Sequence, residues 1–313
     1  MTTKRKAAKS VKKAAKSGRK AAKSGKKAAQ SSKSPKVLAQ AAMAIATSPQ
    51  KTVKQRVAAM AEVPLAVCES DKDLQKTLKV LSNKDEPIEV RLAALQSLQA
   101  ASFSVVAFES CRSDYIATLR KVATDPDPEL RQRVLGILAR EKDRFVQKKL
   151  LEGLQNPEKA LVPPEKALQL LSYDVHAEAY SAARAILDNP PSATAKREAL
   201  RLLAADASAA PMFEKVLRDK DEMAENRQIS ASALQALKPE RLQTLAREML
   251  LDQSEHDDIQ ATSLTALTQF GDAEAVGKDQ TLLEGVDRLS AEASTASAKV
   301  KQSARRFLSK YQQ

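Results

Sequence analysis

Leucine recurs along this chain with a long period. Taking Leu95 as a register mark, equivalent leucines stand at Leu135, Leu168, Leu200, Leu234 and Leu264, at spacings of 40, 33, 32, 34 and 30 residues. Each is followed three residues later by a second leucine, at Leu98, Leu138, Leu171, Leu203, Leu237 and Leu267. A repeat of this length is one small supersecondary unit. Such a unit cannot bury its apolar side alone, so it must stack on its neighbours. The period therefore predicts an array and not a single closed core.

Two helical patterns fit inside each period. The first is Leu74, Leu78, Val80 and Leu81, with counterparts in Tyr115 to Val122, Phe145 to Leu154, Ala177 to Leu187, Met212 to Leu217, Leu242 to Leu251 and Leu282 to Leu289. The second follows a breaker, at Pro87, Pro128, Pro164 or Pro191. Proline suits a first helical turn, where its missing N–H would have no partner anyway. Composition agrees: there are 7 glycines, 3% aromatic residues and no Trp. Phosphate loops of α/β folds and the turns of all-β folds both consume glycine. The expected fold class is all-α, a right-handed α-solenoid of about eight stacked helix pairs over residues 37–313, preceded by a disordered basic tail at 1–36.

Asp85-Glu86-Pro87-Ile88-Glu89-Val90-Arg91 and Asp125-Pro126-Asp127-Pro128-Glu129-Leu130-Arg131, each followed by the leucine marks, resemble the second-helix start of HEAT repeats. The pattern is recognisable again at Ile259-Gln260 and Ala195-Lys196, and it is degenerate at 163–171 and 229–237, which lack the arginine. The resemblance implies a structural ladder in which Asp85, Arg91, Asp125 and Arg131 join successive repeats.

Charge is distributed very unevenly. Residues 1–36 hold 14 bases and no acid: Lys4, Arg5, Lys6, Lys9, Lys12, Lys13, Lys16, Arg19, Lys20, Lys23, Lys26, Lys27, Lys33 and Lys36. The other 277 residues carry 38 bases against 39 acids. Within the basic segment Lys-Ala-Ala-Lys-Ser recurs every seven residues, placing lysines in alternating steps of three and four along one helical face. Like charges at that spacing oppose a helix in isolation, and Gly18 and Gly25 each cost about 1 kcal/mol relative to Ala. With only Met1 and Val11 as large apolar side chains before Val37, the stripe lacks the apolar face of a membrane-surface helix, whereas nucleic-acid phosphate needs only cations. Ser34-Pro35-Lys36 and Ser48-Pro49-Gln50-Lys51, with the Lys/Ala composition, are similar to elements of linker-histone tails and of some bacterial nucleoid proteins.

Candidate chemistry is sparse. Cys68 and Cys111 lie 43 residues apart, and with His176 and His256 they lack the spacing of a zinc site. Gly271 to Lys278 imitates a phosphate loop, but it has five residues between its glycines and Asp279 where a metal-binding hydroxyl belongs. It reads as an inter-helix turn. His256-Asp257-Asp258 reads as a helix start, Tyr173-Asp174-Val175-His176 as a loop and helix start, and Glu222 and Glu225 as solvated helix positions. Some HEAT-like solenoids are DNA glycosylases, which need aromatic side chains to hold a flipped base; others are bilin lyases or their chaperones, for or against which these residues say nothing.

The functional expectation is a non-enzymatic adaptor with no cofactor, no metal and no small-molecule substrate. Its basic tail binds nucleic-acid phosphate, DNA before RNA and without sequence preference, while the concave solenoid surface binds a protein. A scaffold whose tail serves only solubility or targeting is the first alternative, and a HEAT-like DNA-processing enzyme or lyase is the second. The compartment expected is the cytoplasm, nucleoid-associated (nuclear in a eukaryote). No stretch approaches the roughly 18 apolar residues of a membrane span.

Overall fold

The computed structural model describes residues 35–312, and among them every regular element is helical. Helix α1 (Pro35–Ala46) packs on α2 (Val53–Met60) as the first pair. The short α3 (Pro64–Glu69) leads to α4 (Asp71–Ser82) with α5 (Ile88–Ser102), and α6 (Val105–Phe108) leads to α7 (Arg112–Val122) with α8 (Pro128–Arg140). Then come α9 (Arg144–Gln155) with α10 (Pro164–Leu171), α11 (Ala177–Asp188) with α12 (Ala193–Leu203), and α13 (Ala210–Arg218) with α14 (Ala224–Leu237). Helix α15 (Pro239–Leu251) pairs with α16 (Asp257–Phe270). After the short α17 (Ala273–Lys278), α18 (Gln280–Ser290) and α19 (Ala298–Tyr311) end the array. The described residues thus contain the eight helix pairs expected. Helix α1 begins at Pro35, two residues before Val37. All of the basic segment before Pro35 lies outside the described residues.

Two layers result. The second helices α2, α5, α8, α10, α12, α14, α16 and α19 each pack on the next, forming one continuous wall, and the first helices stack behind them. All six register leucines, from Leu95 to Leu264, are buried between these layers. Their positions within the helices are not identical, however. Leu95, Leu135, Leu200 and Leu264 each stand eight residues after the N-cap of their helix, but Leu168 stands five after Pro163 and Leu234 eleven after Met223. A slip of three residues is nearly one helical turn, so the leucine still faces the core. The slip hides the true repeat alignment in those two units.

Side chains fix the helix starts. Asp127, Asp143, Ser192, Asp272, Asp279 and Ser297 each accept a hydrogen bond from a backbone N–H in the first turn of their helix, and Thr52 and Gln55 form a reciprocal capping box on α2. Between α8 and α9 only three residues intervene, and Lys142 takes φ 55° there. Its amide donates to the Ala139 carbonyl and that of Asp143 to Leu138, which turns the chain back within three residues. Ser48 to Lys51 forms the tight turn between α1 and α2, closed by the Lys51 amide on the Ser48 carbonyl at 3.2 Å.

Candidate functional site

One column of side chains ties the repeats together. The residue four after the N-cap of each second helix is Arg56, Arg91, Arg131, Ala167, Lys196, Arg227, Gln260 and Lys301 in turn. In three of these the guanidinium does the same two things. Its Nε donates to the carbonyl at the end of the preceding first helix: Arg56 to Ala46 at 3.0 Å, Arg91 to Leu81 at 3.0 Å and Arg227 to Leu217 at 2.8 Å. Its Nη atoms then reach an acid placed just before the next second helix. Arg56 meets Glu86 at 2.6 Å, Arg91 forks onto Asp125 at 3.3 and 2.5 Å, and Arg227 forks onto Glu255 at 2.8 and 2.6 Å. Lys196 pairs with Glu222 in the same way.

This ladder corrects the sequence expectation at several positions. Arg91 and Asp125, both named in the expected ladder, pair across two repeats. Asp85 does not take part: it is exposed, and the acid that reaches back to Arg56 is its neighbour Glu86, which stands next to the Pro87 cap. Arg131 has the right place but, among the described residues, forms no ion pair; its Nε donates to the Leu161 carbonyl at 2.7 Å and its Nη1 to Asp125 and Pro126 carbonyls at 2.6 and 3.1 Å. The unit at 229–237 does not lack its arginine. Arg227 fills the position with 0% exposure, and the slipped leucine concealed it. Glu222 is not a solvated helix position either, since it precedes α14, is nearly buried and accepts from Lys196 and the Asn226 amide group. Glu225 does lie on α14, half-buried, where it meets Arg197 and Arg201.

A second set of pairs links the first helices. Asp143 caps α9 and takes Arg120 of α7 at 2.6 Å, while Asp279 caps α18 and takes Arg247 of α15. Arg184 of α11 pairs with Asp206. A substantial share of the charges in the described body thus joins one repeat to the next.

The ladder makes stability sensitive to acid. For Asp125 burial opposes ionisation most strongly, but the Arg91 guanidinium and the Asp127 amide outweigh it and hold the carboxyl below its ordinary range. Glu222 behaves alike: burial raises it, and Lys196, Asn226 and the Met223 amide bring it down. An unfolded carboxyl titrates near 4. A group lowered by folding lends its stability in full above that value and loses it as pH falls through the folded value. Urea midpoints are accordingly expected to be flat between about pH 6 and 8 and to fall below about pH 4.5. The Asp125→Asn variant should show a visibly shallower fall, and equal slopes for the two proteins would refute the attribution.

The wall of second helices carries a groove of about 630 Å³ across α5, α8 and α10. Its sides present the carboxamides of Gln96, Gln99, Gln132 and Gln169, and Gly136 leaves its middle without a side chain. Three bases line it, Arg133, Arg140 and Lys166, against one acid, Glu129. Glu129 pairs with Arg133 at 2.6 Å, and Arg140 lies over the Tyr173 ring at 6.0 Å. Nothing in a single sequence marks these glutamines, because they sit between the periodic leucines at positions that any exposed residue could fill.

The remaining sequence candidates are structural. His256 and His176 are both N-caps, and the Nδ1 of His176 accepts from the Ala179 amide at 3.2 Å. Asp257 receives the Ser297 amide at 2.7 Å, and Asp258 meets Lys299 at 2.9 Å, so both acids brace α16 against the last pair. Gly271 to Lys278 is a turn followed by the short α17, capped by Asp272. Cys111 is buried and Cys68 half-buried, with no disulfide between them. Among the described residues no group of three or more His, Cys, Asp or Glu could hold a metal, and no single helix is long and apolar enough to cross a membrane. Of the 14 predicted nucleic-acid contacts, Lys36 lies in the first turn of α1 and the other thirteen fall outside the described residues.

No family model matches the chain, nor does any curated sequence. Among solved structures it is similar to the complex of CpcE and CpcF of phycocyanin lyase from Nostoc sp. PCC7120. The identity is 14% and the TM-score 0.38, over 80% of this chain and 92% of that one. It is also similar to human deoxyhypusine hydroxylase in complex with glycerol, at 13% identity and a TM-score of 0.33, over 80% of this chain and 99% of the other. Both are named as enzymes. That corrects the expectation, drawn from the residues alone, that a helical array of this pattern is not an enzyme.

Proposed function

We propose that this chain is a helical-repeat adaptor whose second-helix wall holds an extended protein segment of net acidic character, while its first 36 residues hold nucleic-acid phosphate. The groove across α5, α8 and α10 carries the first half of the reading. Each glutamine carboxamide offers both a donor and an acceptor, which is what an extended polypeptide backbone requires of a surface that pairs with it. Three bases against one acid give the groove a positive balance, so it favours acidic segments and disfavours the chain's own basic one. The second half rests on charge: 14 uncompensated bases in 1–36 against 38 bases and 39 acids elsewhere. Contacts to phosphate position a partner without reading bases, so DNA would be held without sequence preference.

Gly136 makes the groove testable without disturbing the fold. A β-carbon there would meet only Arg140 Nη1 at 3.9 Å and Leu170 Cδ2 at 4.0 Å, both ordinary contacts. Gly136→Trp is therefore expected to keep its helical circular dichroism and to fill the groove. Selection from a random dodecapeptide display library should enrich acidic peptides on the full chain, with at least tenfold weaker binding of those peptides to the variant. Enrichment of basic peptides, or equal binding to both proteins, would refute the groove reading.

A further inference from the structure

Every other base of the ladder that keeps an arginine, and Lys196 as well, is neutralised by an acid from the next repeat; Arg131 is not. Where the ladder closes, the acid stands immediately before the N-cap (Glu86, Glu222, Glu255) or two residues before it (Asp125), but ahead of the Pro163 cap those two places are held by Val162 and Leu161. The guanidinium is nonetheless held in place by three backbone carbonyls, those of Leu161, Asp125 and Pro126. No hydrogen bond from its Nη2 to any described residue is formed. A half-buried cation, fixed in orientation and without its counter-ion, is an anion receptor.

What lies in front of it narrows the ligand. Arg131 forms one wall of a cleft of about 700 Å³ between the third, fourth and fifth pairs. The rest of the lining is mostly aliphatic side chains and prolines, including Leu154, Val162, Ile186, Pro163 and Pro191. The loop from 156 to 163 can shape this cleft only because Gly153 lets it approach: a β-carbon on Gly153 would stand 2.9 Å from the Ala160 Cα. Prolines carry no N–H, so this wall is poorly furnished to pair with a peptide backbone. Its apolar side chains instead suit a hydrocarbon body.

We infer that this cleft binds a small carboxylic acid with an apolar body, whose carboxylate takes the ladder place on Arg131 that the chain leaves empty. With Nε and Nη1 held by the carbonyls, the guanidinium offers its Nη2 hydrogens and its charge to the carboxylate, and the Leu154, Ile186 and proline surface takes the hydrocarbon.

Isothermal titration of the full-length chain with octanoate tests the assignment, with octanol as the uncharged control. A tetrapeptide ending in Leu-Leu, as free acid and as amide, distinguishes a protein terminus from a small acid. Octanoate is expected to bind at least tenfold more tightly than octanol, and Arg131→Gln to weaken it at least tenfold. Val162→Glu, which restores an acid where Glu86, Glu222 and Glu255 stand, should weaken it likewise by closing the ladder internally. Equal binding of octanoate and octanol, undiminished binding by Arg131→Gln, or binding of the peptide acid alone would each overturn the proposal.

Discussion

Replacing Arg227 by Ala is expected to destabilise the fold by about 3–5 kcal/mol, because it strands a charge where water cannot reach it. Arg227 has 0% exposure, and the side chain of Glu255 is 2% exposed. Both Nη atoms fork onto the carboxylate, and the Nε closes the end of α13 through the Leu217 carbonyl. The His256 amide, at 2.7 Å, would be the main donor left to Glu255. Desolvating a carboxylate with one neutral donor costs far more than the net worth of the pair itself. The double change Arg227→Met with Glu255→Met removes both charges and should lose less than half as much as the single one. Urea unfolding followed at 222 nm measures both. A single-variant loss below about 1 kcal/mol would mean that Glu255 finds water or another partner. Arg131→Ala provides the contrast: no described acid is stranded there, so the expected loss is that of its carbonyl contacts, about 1–2 kcal/mol.

Removing residues 1–34 is expected to have the largest effect on binding. The polyanion affinity assigned to this segment is electrostatic, so log K should fall linearly with log salt at about −0.9 per phosphate neutralised. If half of the 14 bases engage, the slope is about −6, and affinity for duplex DNA drops by roughly 10³–10⁴ between 50 and 200 mM salt. Fluorescence anisotropy of a labelled duplex should give this steep dependence for the whole chain. The chain starting at Pro35 should bind at least a hundredfold more weakly at 50 mM salt. Equal binding by both would transfer the nucleic-acid surface to the helical array. Absence of binding by either would favour the scaffold whose basic segment serves solubility or targeting.

The ladder shows where sequence reading stops. Arg91 and Asp125 were expected in a ladder through the resemblance to HEAT repeats, together with Asp85 and Arg131, but only the structure pairs Arg91 with Asp125. Arg227 was not expected there: its helix has Met223 at the N-cap instead of proline, and its leucine is one turn late. Glu86 and Asp85 are adjacent and chemically alike, and only the path of the chain into Pro87 decides which of them faces Arg56. The groove glutamines and the Arg131 cleft lie further out of reach. Both arise from residues on three successive repeats, far apart in sequence and brought together by stacking.

The sequence by itself determined the helix pairs, their number and the concentration of charge before residue 36. Leucine period, proline breakers and charge counts are local properties, and a helix registers them within a few turns. Tertiary structure alone decided which base meets which acid, which arginine is left without one, and which side chains share a groove. Those outcomes depend on how far one repeat is shifted against the next. A slip of one turn keeps the leucine buried, so the apolar pattern that specifies the array leaves its polar contacts unspecified.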